Sequence, residues 1–313
     1  MASPAVSVTI VLHNSADFLL ECLAALRNDV RSGLAEIIAV DNASPDDSPE
    51  IVVREIPEAT LLRCSTNLGF AGGCNRAWPH TRGRYWMLLN PDVVLPTGAL
   101  RRLVAWMEAR PGLGLGTPEI VDAAGHSSAT ARRFPSIWLS LLELSRIHLL
   151  IPRRVRARMF LGRYVSSRGH ELEADWVPAA ALLARREAIA TAGLLPEEFF
   201  MYGEDVLWCW RIKQAGWAVA VNGDVRALHR EGGSALRTWG NREALRRRVT
   251  GGYLACRAIR GSAYAWIHAG ICATAMALEA NHPGRCQETR QRAREMVSVY
   301  LQLLRGAEDR LAR

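Results

Sequence analysis

The sequence predicts an α/β fold with a mostly parallel central sheet, and three observations support this prediction. Short apolar runs rich in β-branched residues alternate with segments of helical periodicity over residues 5–92. Polar residues follow the ends of these apolar runs. The 313 residues, 49% hydrophobic and 22% charged, suit about two domains, or one large α/β domain with an extension.

Four apolar runs are predicted to be strands, at 5–12, 36–40, 60–64 and 85–89. A helix is expected after Ser15 and another after the glycine-rich loop 67–73. In a parallel sheet covered by helices, ligands bind beyond the carboxyl ends of the strands. The polar residues at those ends are therefore expected to line one crevice. They are His13, Asn14, Asp41, Asn67 and Asp92.

The second half of the chain carries weaker signals. Residues 117–134 are expected to be irregular, 136–151 to form an amphipathic helix, and 175–183, 217–221 and 226–229 to form strands. Beyond about residue 238 the pattern is helical. The apolar stretch 264–280 falls short of the ~20 strongly apolar residues of a membrane span, so a packed or interfacial helix is expected.

The formal net charge is +8, and nearly all basic residues are arginine, with Lys213 as the one lysine. Anionic small molecules, membrane surfaces and nucleic acid all remain candidate partners on charge alone. Residues 146–169 contain seven arginines and no acid. This segment is either a solvated basic face or a contact for an anionic membrane or a phosphorylated acceptor.

The seven cysteines are scattered, and none forms a C-x-x-C pair. This spacing indicates neither a structural zinc site nor a disulfide framework. The N-terminal residues show no signal-peptide pattern. A reducing, cytoplasmic location is expected.

Two acids, Glu204 and Asp205, stand between the aromatic run 199–202 and a segment of helical spacing. One interpretation is an ordinary helix whose first turn carries acids, as the helix dipole favours. The other is a carboxylate that is partly desolvated among aromatic rings and serves as a general base. The acidic stretch alone leaves both interpretations open.

A series of motifs, in order, resembles the inverting glycosyltransferases of family 2, and most closely their rhamnosyltransferase-like branch. They are VTIVLHN at 8–14, VDNAS at 40–44, NLGFAGGCN at 67–75, LLNPD at 88–92, the acidic stretch 199–211, and LHREGGS at 228–234. The resemblance covers roughly residues 5–235. It implies a GT-A fold, a Rossmann-like nucleotide-sugar domain over 1–237 with a nucleotide-sugar half, 1–115, and an acceptor half, 116–237. A helical extension, 238–313, would follow.

The resemblance also implies roles for individual residues. Asp92 matches the last acid of the family's D-x-D metal motif, whose first position is Asn90 here, and His229 matches a histidine that often adds a ligand. For His229 the alternative is a buried structural histidine. Mg²⁺ or Mn²⁺ on the donor diphosphate is expected, because a divalent cation neutralises that leaving group. Asp205 matches the base that takes a proton from the acceptor hydroxyl.

Other residues are implied to form the substrate pocket. Glu204, Trp176 and Ala180 would shape the donor-sugar or acceptor side. The donor nucleotide would contact His13, Asn14, Asp41, Asn42, Asn67, Gly69, Phe70, Ala71, Asn75, Asn90 and Pro91. Asp41 matches the residue that hydrogen-bonds the pyrimidine base.

The chain departs from the family pattern at three positions. Leu207 replaces a second acid, Ala180 replaces a glycine, and Glu197 stands where an Asp-Glu pair is usual. The donor is expected to be a dTDP- or UDP-sugar, with dTDP-L-rhamnose the first to test. The acceptor is left open among a lipid-linked glycan, a surface polysaccharide and a small natural product.

Two other functions compete with sugar transfer. A non-catalytic nucleotide- or glycan-binding module would need no base, so the presence of both Asp92 and Asp205 argues against it. A nucleic-acid role finds no supporting motif, and none is expected. Peripheral membrane contact and a homodimer through the C-terminal helices are both left open, the latter because one face of the last helix carries apolar residues for docking.

Overall fold

The computed structural model describes residues 3–161, 168–230 and 233–307, and it confirms the predicted α/β fold. Residues 162–167 of the arginine-rich segment and residues 231–232 of the histidine motif therefore lie outside the described residues. The strands are β1 Val6–Leu12, β2 Ala35–Asp41, β3 Thr60–Arg63, β4 Tyr85–Leu89, β5 Val93–Val94, β6 Leu113–Val121, β7 Glu171–Glu173, β8 Ala181–Arg185 and β9 Ala218–His229.

Helices cover both faces of the sheet and continue beyond it. They are α1 Ala16–Arg31, α2 Ser48–Glu55, α3 Gly69–Ala77, α4 Ala99–Glu108, α5 Ile137–Leu144, α6 Arg153–Phe160, α7 Arg186–Ala192, α8 Glu204–Gln214, α9 Gly233–Arg260, α10 Ser262–Ala280 and α11 Gln287–Leu304. Short 3₁₀ turns lie at Trp78–His80 and Ile147–Leu150.

The sheet has the order β3-β2-β1-β4-β8-β6-β9-β5, with β7 paired to β9. The first four strands in this order are parallel throughout. Beyond them, β8 runs antiparallel to both β4 and β6, and β5 and β7 run antiparallel to β9. Among the remaining strands that the structure describes, only β6 and β9 pair in parallel. The sheet is therefore mixed, and the predicted parallel character belongs mainly to residues 1–115.

The core explains why the first strands are continuous apolar runs. Leu19, Cys22, Leu23 and Leu26 of α1 are buried against one face of β1 and β2. The other face carries Trp86, which is fully buried, packs edge-to-face on Trp208 of α8, and donates from Nε1 to Thr9 Oγ1 at 2.8 Å. Strands covered on both faces need apolar residues at every position rather than at alternate ones.

The prediction that residues 117–134 are irregular is wrong in its first part, because β6 runs from Leu113 to Val121 and all nine residues are buried. Its sequence, LGLGTPEIV, contains two glycines and a proline, which disfavour strands. Gly116 is required by packing: a Cβ there would lie 2.5 Å from the Trp106 ring and 2.7 Å from the Met107 sulfur of α4. The close approach of α4 therefore requires a glycine in β6, and this glycine makes the segment look less like a strand in the sequence.

Other boundaries also differ from the prediction. The strand expected at 175–183 begins only at Ala181, and Trp176 instead forms an isolated bridge with Arg132. The helix expected at 136–151 ends at Leu144 and gives way to the 3₁₀ turn. The two strand segments expected at 217–221 and 226–229 are one strand, β9, with an irregularity opposite 118–119.

The C-terminal helices pack on each other and on the acidic stretch. Val299 and Leu303 of α11 are buried with Ala265 and Ala269 of α10, so the predicted docking face is used within the chain. Helix α9 has a break at Gly240 (φ 70°, ψ 170°) and then packs on α8. Within the described ranges, no helix is long and apolar enough to cross a membrane. A homodimer through these helices stays a prediction.

Candidate functional site

A cavity of about 470 Å³ opens beyond the carboxyl ends of β1, β2 and β4. It contains most of the residues that the sequence singled out. The predicted residues that line it are His13, Asn42, Asn67, Gly69, Phe70, Asn90, Pro91, Asp92, Trp176, Ala180, Glu204, Asp205 and His229. The strand ends, the acidic stretch and the histidine motif therefore converge on one space, as expected for the crevice of an open α/β sheet.

Four predicted residues do not line this cavity. The buried carboxylate of Asp41 accepts from the Ser44 amide at 2.8 Å and pairs with the Arg63 guanidinium at 3.3 Å. Asn14 has a left-handed backbone (φ 53°), and its amide donates to Ser44 Oγ at 2.9 Å. Asp41 ends β2 and Asn14 lies between β1 and α1, and both bond to Ser44 in the turn that joins β2 to α2. A role at the nucleotide base stays a prediction for Asp41.

The other two residues support helix α3. Ala71 is fully buried in the hydrophobic core. The Asn75 amide group donates to the Leu195 carbonyl at 2.9 Å and to the Glu197 carboxylate at 2.7 Å. Asn75 thus ties α3 to the segment before the acids. The same bond gives Glu197, one of the departures from the family pattern, a structural partner.

The predicted glycine loop 67–73 is the start of helix α3, and two asparagines hold it. Asn42 Nδ2 donates to Asn67 Oδ1 at 2.9 Å and to the Gly69 carbonyl at 3.0 Å, while Asn42 Oδ1 accepts from the Leu68 amide at 2.8 Å. Asn67 Oδ1 also accepts from the Gly69 amide at 2.9 Å. These bonds pair both ends of the Asn42 amide group and the Asn67 oxygen, and they fix the helix start at the edge of the cavity.

Gly69 joins this helix start to the acidic stretch. The Phe70 amide donates to the Phe200 carbonyl at 3.0 Å. Gly69 has a left-handed backbone (φ +74°), and a Cβ on it would lie 2.1 Å from the same carbonyl oxygen. Only glycine combines that dihedral with so close an approach. The glycine therefore sets the distance between the two sides of the cavity.

Helix α9 holds the acidic stretch from the opposite direction. Gly203 (φ +101°) faces the Gly251 carbonyl, which a Cβ would meet at 2.6 Å, and a Cβ on Gly251 would lie 2.1 Å from the Tyr202 carbonyl. Leu207, where the family has an acid, is buried against Ala255 of α9. The missing acid is thus replaced by an apolar contact for the C-terminal helices.

The two acids sit at the first turn of α8 in different surroundings. Glu204 lines the cavity but is only 5% exposed, and its Oε2 has no hydrogen-bond partner within the described part of the chain. Burial raises the pKa of the Glu204 carboxyl well above its ordinary value, and the charge of Asp205 raises it further. Burial and the neighbouring charge therefore both favour the neutral form of Glu204.

Asp205 is half-buried and faces the cavity. Its Oδ1 accepts from the Val206 amide at 2.8 Å. Burial raises the pKa of the Asp205 carboxyl, while the Val206 amide and the Arg132 guanidinium oppose that rise. The ionised form of an aspartate with a raised pKa is a stronger base than an ordinary aspartate, which suits proton abstraction.

Sequence reasoning missed Arg132 as a site residue, because it lies in a segment that was expected to be irregular. Its guanidinium stacks 4.9 Å from the Trp176 ring, and its amide donates to the Trp176 carbonyl at 3.0 Å. Trp176 Nε1 in turn donates to the Arg133 carbonyl at 2.9 Å. An arginine is therefore held over the tryptophan at the wall of the cavity.

Four more lining residues come from helix α9, which the sequence assigned to a separate extension: Thr238, Trp239, Arg248 and Gly252. The Trp239 ring packs edge-to-face on Phe200, with ring centroids 6.1 Å apart. The helical extension thus completes the wall beside the acids. No periodicity or motif in the sequence indicates this contact.

Asp92 and His229 meet on the opposite wall. Antiparallel pairing of β5 with β9 places Val93 opposite His229, and Asp92 Oδ1 lies 3.2 Å from His229 Nε2. No cluster of three or more His, Cys, Asp or Glu side chains suited to a metal occurs among the described residues. The Asp92 carboxylate suits either Mn²⁺ or Mg²⁺, and the His229 imidazole suits Mn²⁺ better than Mg²⁺, when diphosphate and water supply the remaining ligands.

Comparison with known proteins gives the same family as the motifs. The model of "Glycosyl transferase family 2" matches residues 7–161. The N-acetylglucosaminyl-diphospho-decaprenol L-rhamnosyltransferase of Mycobacterium tuberculosis is 28% identical over 249 residues, which cover 75% of this chain and 78% of that protein.

Solved structures share the fold. The mannosyltransferase PcManGT from Pyrobaculum calidifontis, in complex with GDP-Man and Mn²⁺, has a TM-score of 0.55 at 17% identity over 97% of this chain and 88% of that chain. S. aureus TarS 1–349, in complex with UDP-GlcNAc, has a TM-score of 0.56 at 14% identity over 98% of this chain and 83% of that chain. At such identities these likenesses concern the fold alone, and they confirm the predicted GT-A architecture.

Proposed function

This chain belongs to glycosyl transferase family 2 through residues 7–161, and we propose that it is an inverting enzyme that moves a sugar from a nucleoside-diphosphate sugar to an acceptor hydroxyl. One observation carries this proposal. The half-buried Asp205 carboxylate, whose pKa is raised, faces the same cavity as Asp92 and His229. A binding module would need a nucleotide crevice but no such base.

Asp205 acts as the general base. It accepts the proton of the acceptor hydroxyl while that oxygen bonds to the anomeric carbon of the donor sugar. The bond from this carbon to the diphosphate oxygen breaks at the same time, and its electron pair leaves with the diphosphate. Direct displacement inverts the anomeric configuration and needs no enzyme nucleophile. Arg132 supports the ionised form of Asp205.

Asp92 and His229 are the residues that would hold a divalent cation. Such a cation, when bound, neutralises the charge of the leaving diphosphate. The two donors alone are a small ligand set, so we expect the metal to bind together with the nucleotide. The neighbouring structure of PcManGT, described with GDP-Man and Mn²⁺, supports this role.

We propose a hydrogen-bonding role for the neutral carboxyl of Glu204, distinct from the role of Asp205 as the base. Its Oε2 is buried at the cavity wall and has no hydrogen-bond partner among residues 3–161, 168–230 and 233–307. A protonated carboxyl both donates and accepts hydrogen bonds. We propose that Glu204 orients a hydroxyl of the donor sugar or of the acceptor, and that Trp176 and Ala180 shape the same pocket.

The mycobacterial relative indicates the substrates. Its name describes transfer of L-rhamnose to N-acetylglucosaminyl-diphospho-decaprenol, and it aligns with 75% of this chain. We propose a dTDP- or UDP-sugar donor, with dTDP-L-rhamnose as the first choice, and a lipid-linked glycan as acceptor. All seven cysteines are free thiols, which supports a reducing, cytoplasmic location.

A donor screen followed by a transfer assay tests the proposal. The full chain is melted with dTDP-L-rhamnose, UDP-GlcNAc or GDP-Man, each with and without Mn²⁺. We expect one donor to raise the melting temperature most, and more with Mn²⁺. That donor is then incubated with a lipid-linked N-acetylglucosaminyl diphosphate, and NMR of the product gives the anomeric configuration. Inversion is expected. Retention of configuration would contradict single displacement, and donor binding without transfer to any acceptor class would favour the non-catalytic module.

A further inference from the structure

Residues 137–156, here called the α5–α6 surface, expose an unusual amount of apolar side chain. Six of the eight residues of α5 are apolar, yet none is buried. Trp138 is 75% exposed, and Leu150 of the following 3₁₀ turn is 85% exposed. Ile147 and Leu149 are also exposed. An apolar helix without a buried residue is the reverse of the usual amphipathic pattern.

Polar contacts on the inner side explain this orientation. The Ile137 amide donates to Tyr264 Oη at 3.0 Å, and Ser140 Oγ lies 3.0 Å from His268 Nε2, so α10 holds the polar side of α5. His148 is the buried residue of the 3₁₀ turn, with Nδ1 3.0 Å from the Leu142 carbonyl and its ring packed on Phe160. The histidine faces inward, and the leucines and isoleucine beside it face solvent.

Arginines surround the exposed apolar side chains. Arg146, Arg153 and Arg154 are exposed, and Arg156 donates to the Leu149 carbonyl at 3.5 Å. No acid occurs between Glu143 and Glu171 in the sequence. Exposed tryptophan and leucine among arginines, with no acids, match the interface of an anionic bilayer, where apolar side chains enter the headgroup region and guanidinium groups contact phosphates.

We propose that the α5–α6 surface docks the protein on an anionic lipid bilayer. The surface adjoins the cavity, because Pro135 lines the cavity and α5 begins at Ile137. Delivery of a lipid-linked acceptor to Asp205 from this side rests on the proposed function, but lipid binding itself does not. A second copy of the chain suits this surface less, since an isologous contact would bring the two arginine clusters together.

Cosedimentation of the full chain with vesicles tests the proposal. We expect binding to phosphatidylcholine vesicles that contain phosphatidylglycerol, weaker binding to phosphatidylcholine alone, and loss of binding as salt is raised. The double variant Arg153→Gln/Arg154→Gln should reduce binding at least about fivefold, because each arginine near an anionic surface contributes about that factor. Trp138→Ser/Leu150→Ser should reduce binding even to vesicles at low salt.

Matched substitutions in helices α4 and α2 are the controls. Arg101→Gln/Arg102→Gln removes an adjacent exposed arginine pair from α4, and Val53→Ser removes an exposed apolar residue from α2. Both should leave vesicle binding unchanged. Equal losses in the α5–α6 variants and these controls would overturn the proposal, as would a dimer in solution that Trp138→Ser/Leu150→Ser converts to a monomer.

Donor binding separates this proposal from the proposed function. The α5–α6 variants should keep the donor-induced rise in melting temperature, since none of the substituted residues lines the cavity. If the wild-type chain binds vesicles but no donor raises its melting temperature, the lipid-binding proposal holds and the proposed sugar transfer is contradicted. If a donor raises the melting temperature but the wild-type chain does not bind vesicles, the lipid-binding proposal is contradicted and the proposed sugar transfer holds.

Discussion

The two walls of the cavity differ in how their polar side chains are hydrogen-bonded. On the β1–β4 wall, polar side chains satisfy one another: Asn42 bonds Asn67 and Gly69, and the Asp41 carboxylate is held by Ser44 and Arg63. On the α8–α9 wall, Glu204 is buried with one oxygen that has no hydrogen-bond partner among the described residues. The difference indicates that the first wall is a fixed frame for binding, and that the second carries a desolvated group of the kind typical of catalytic sites.

The two walls also differ in how far apart their residues lie in the sequence. The β1–β4 wall comes from one continuous part of the sequence and from parallel strands that all end at the same edge. The α8–α9 wall combines Arg132, Trp176, the acids and Trp239, which are far apart in sequence. Substitutions on the two walls should therefore have different consequences, and four experiments test this, from the largest expected effect to the smallest.

Asp205→Asn should reduce the turnover number about 100- to 10,000-fold, because an amide cannot take the acceptor proton. Donor affinity, measured by titration calorimetry, should stay near that of the wild-type chain. Asp224→Asn, an exposed aspartate at a turn within β9, is the control and should keep full turnover. Near-normal turnover of Asp205→Asn would exclude Asp205 as the base.

Asp92→Ala should weaken donor binding in the presence of Mn²⁺ by more than about tenfold, since it removes the carboxylate that meets His229. Affinity without metal should change little. Calorimetry of both proteins with and without Mn²⁺ gives the four affinities required. If the metal strengthens donor binding equally in the variant and the wild type, Asp92 is not a ligand.

Gly69→Ala should destabilise the fold by more than about 1 kcal/mol and should also lower turnover, because its Cβ would push the Phe200 carbonyl and the acidic stretch away. Gly33→Ala is a matched control: its φ is +72°, close to that of Gly69, but nothing lies within 4 Å of its added Cβ. The control should lose stability from strain alone and keep its turnover. Urea unfolding and the transfer assay separate the two effects, and equal turnover in both variants would contradict the coupling of the walls.

Glu204→Gln should raise the melting temperature by more at about pH 8 than at about pH 5. The folded-state pKa of Glu204 is raised, so its neutral form stabilises the fold fully below the ordinary value of 4.5, and that contribution is lost as pH rises toward the folded-state pKa. Glutamine cannot ionise and avoids this loss. A melting-temperature difference that does not depend on pH would show that Glu204 is not kept neutral by the fold.

The sequence predicted the first four strands to within one residue at each end. This accuracy has a physical cause, since strands buried on both faces are unbroken apolar runs with polar residues at their ends. The failures are equally specific. The sequence did not predict β6, because α4 packs so closely on it that position 116 must be glycine, a residue that is unfavourable in strands. Ala181 begins β8 only after the chain has turned at Trp176 to pack against Arg132.

The sequence by itself determined the α/β class and the family motifs, because these depend on local patterns along continuous segments. Of the seventeen site residues that the resemblance implies, thirteen line the cavity. Only the tertiary structure decided the rest. Arg132 and Trp239 reach the acids through packing between distant segments, and the pKa of Glu204 is raised because burial removes water from its carboxyl. Desolvation and long-range contacts arise from tertiary packing, so they cannot be predicted from any local segment of the sequence.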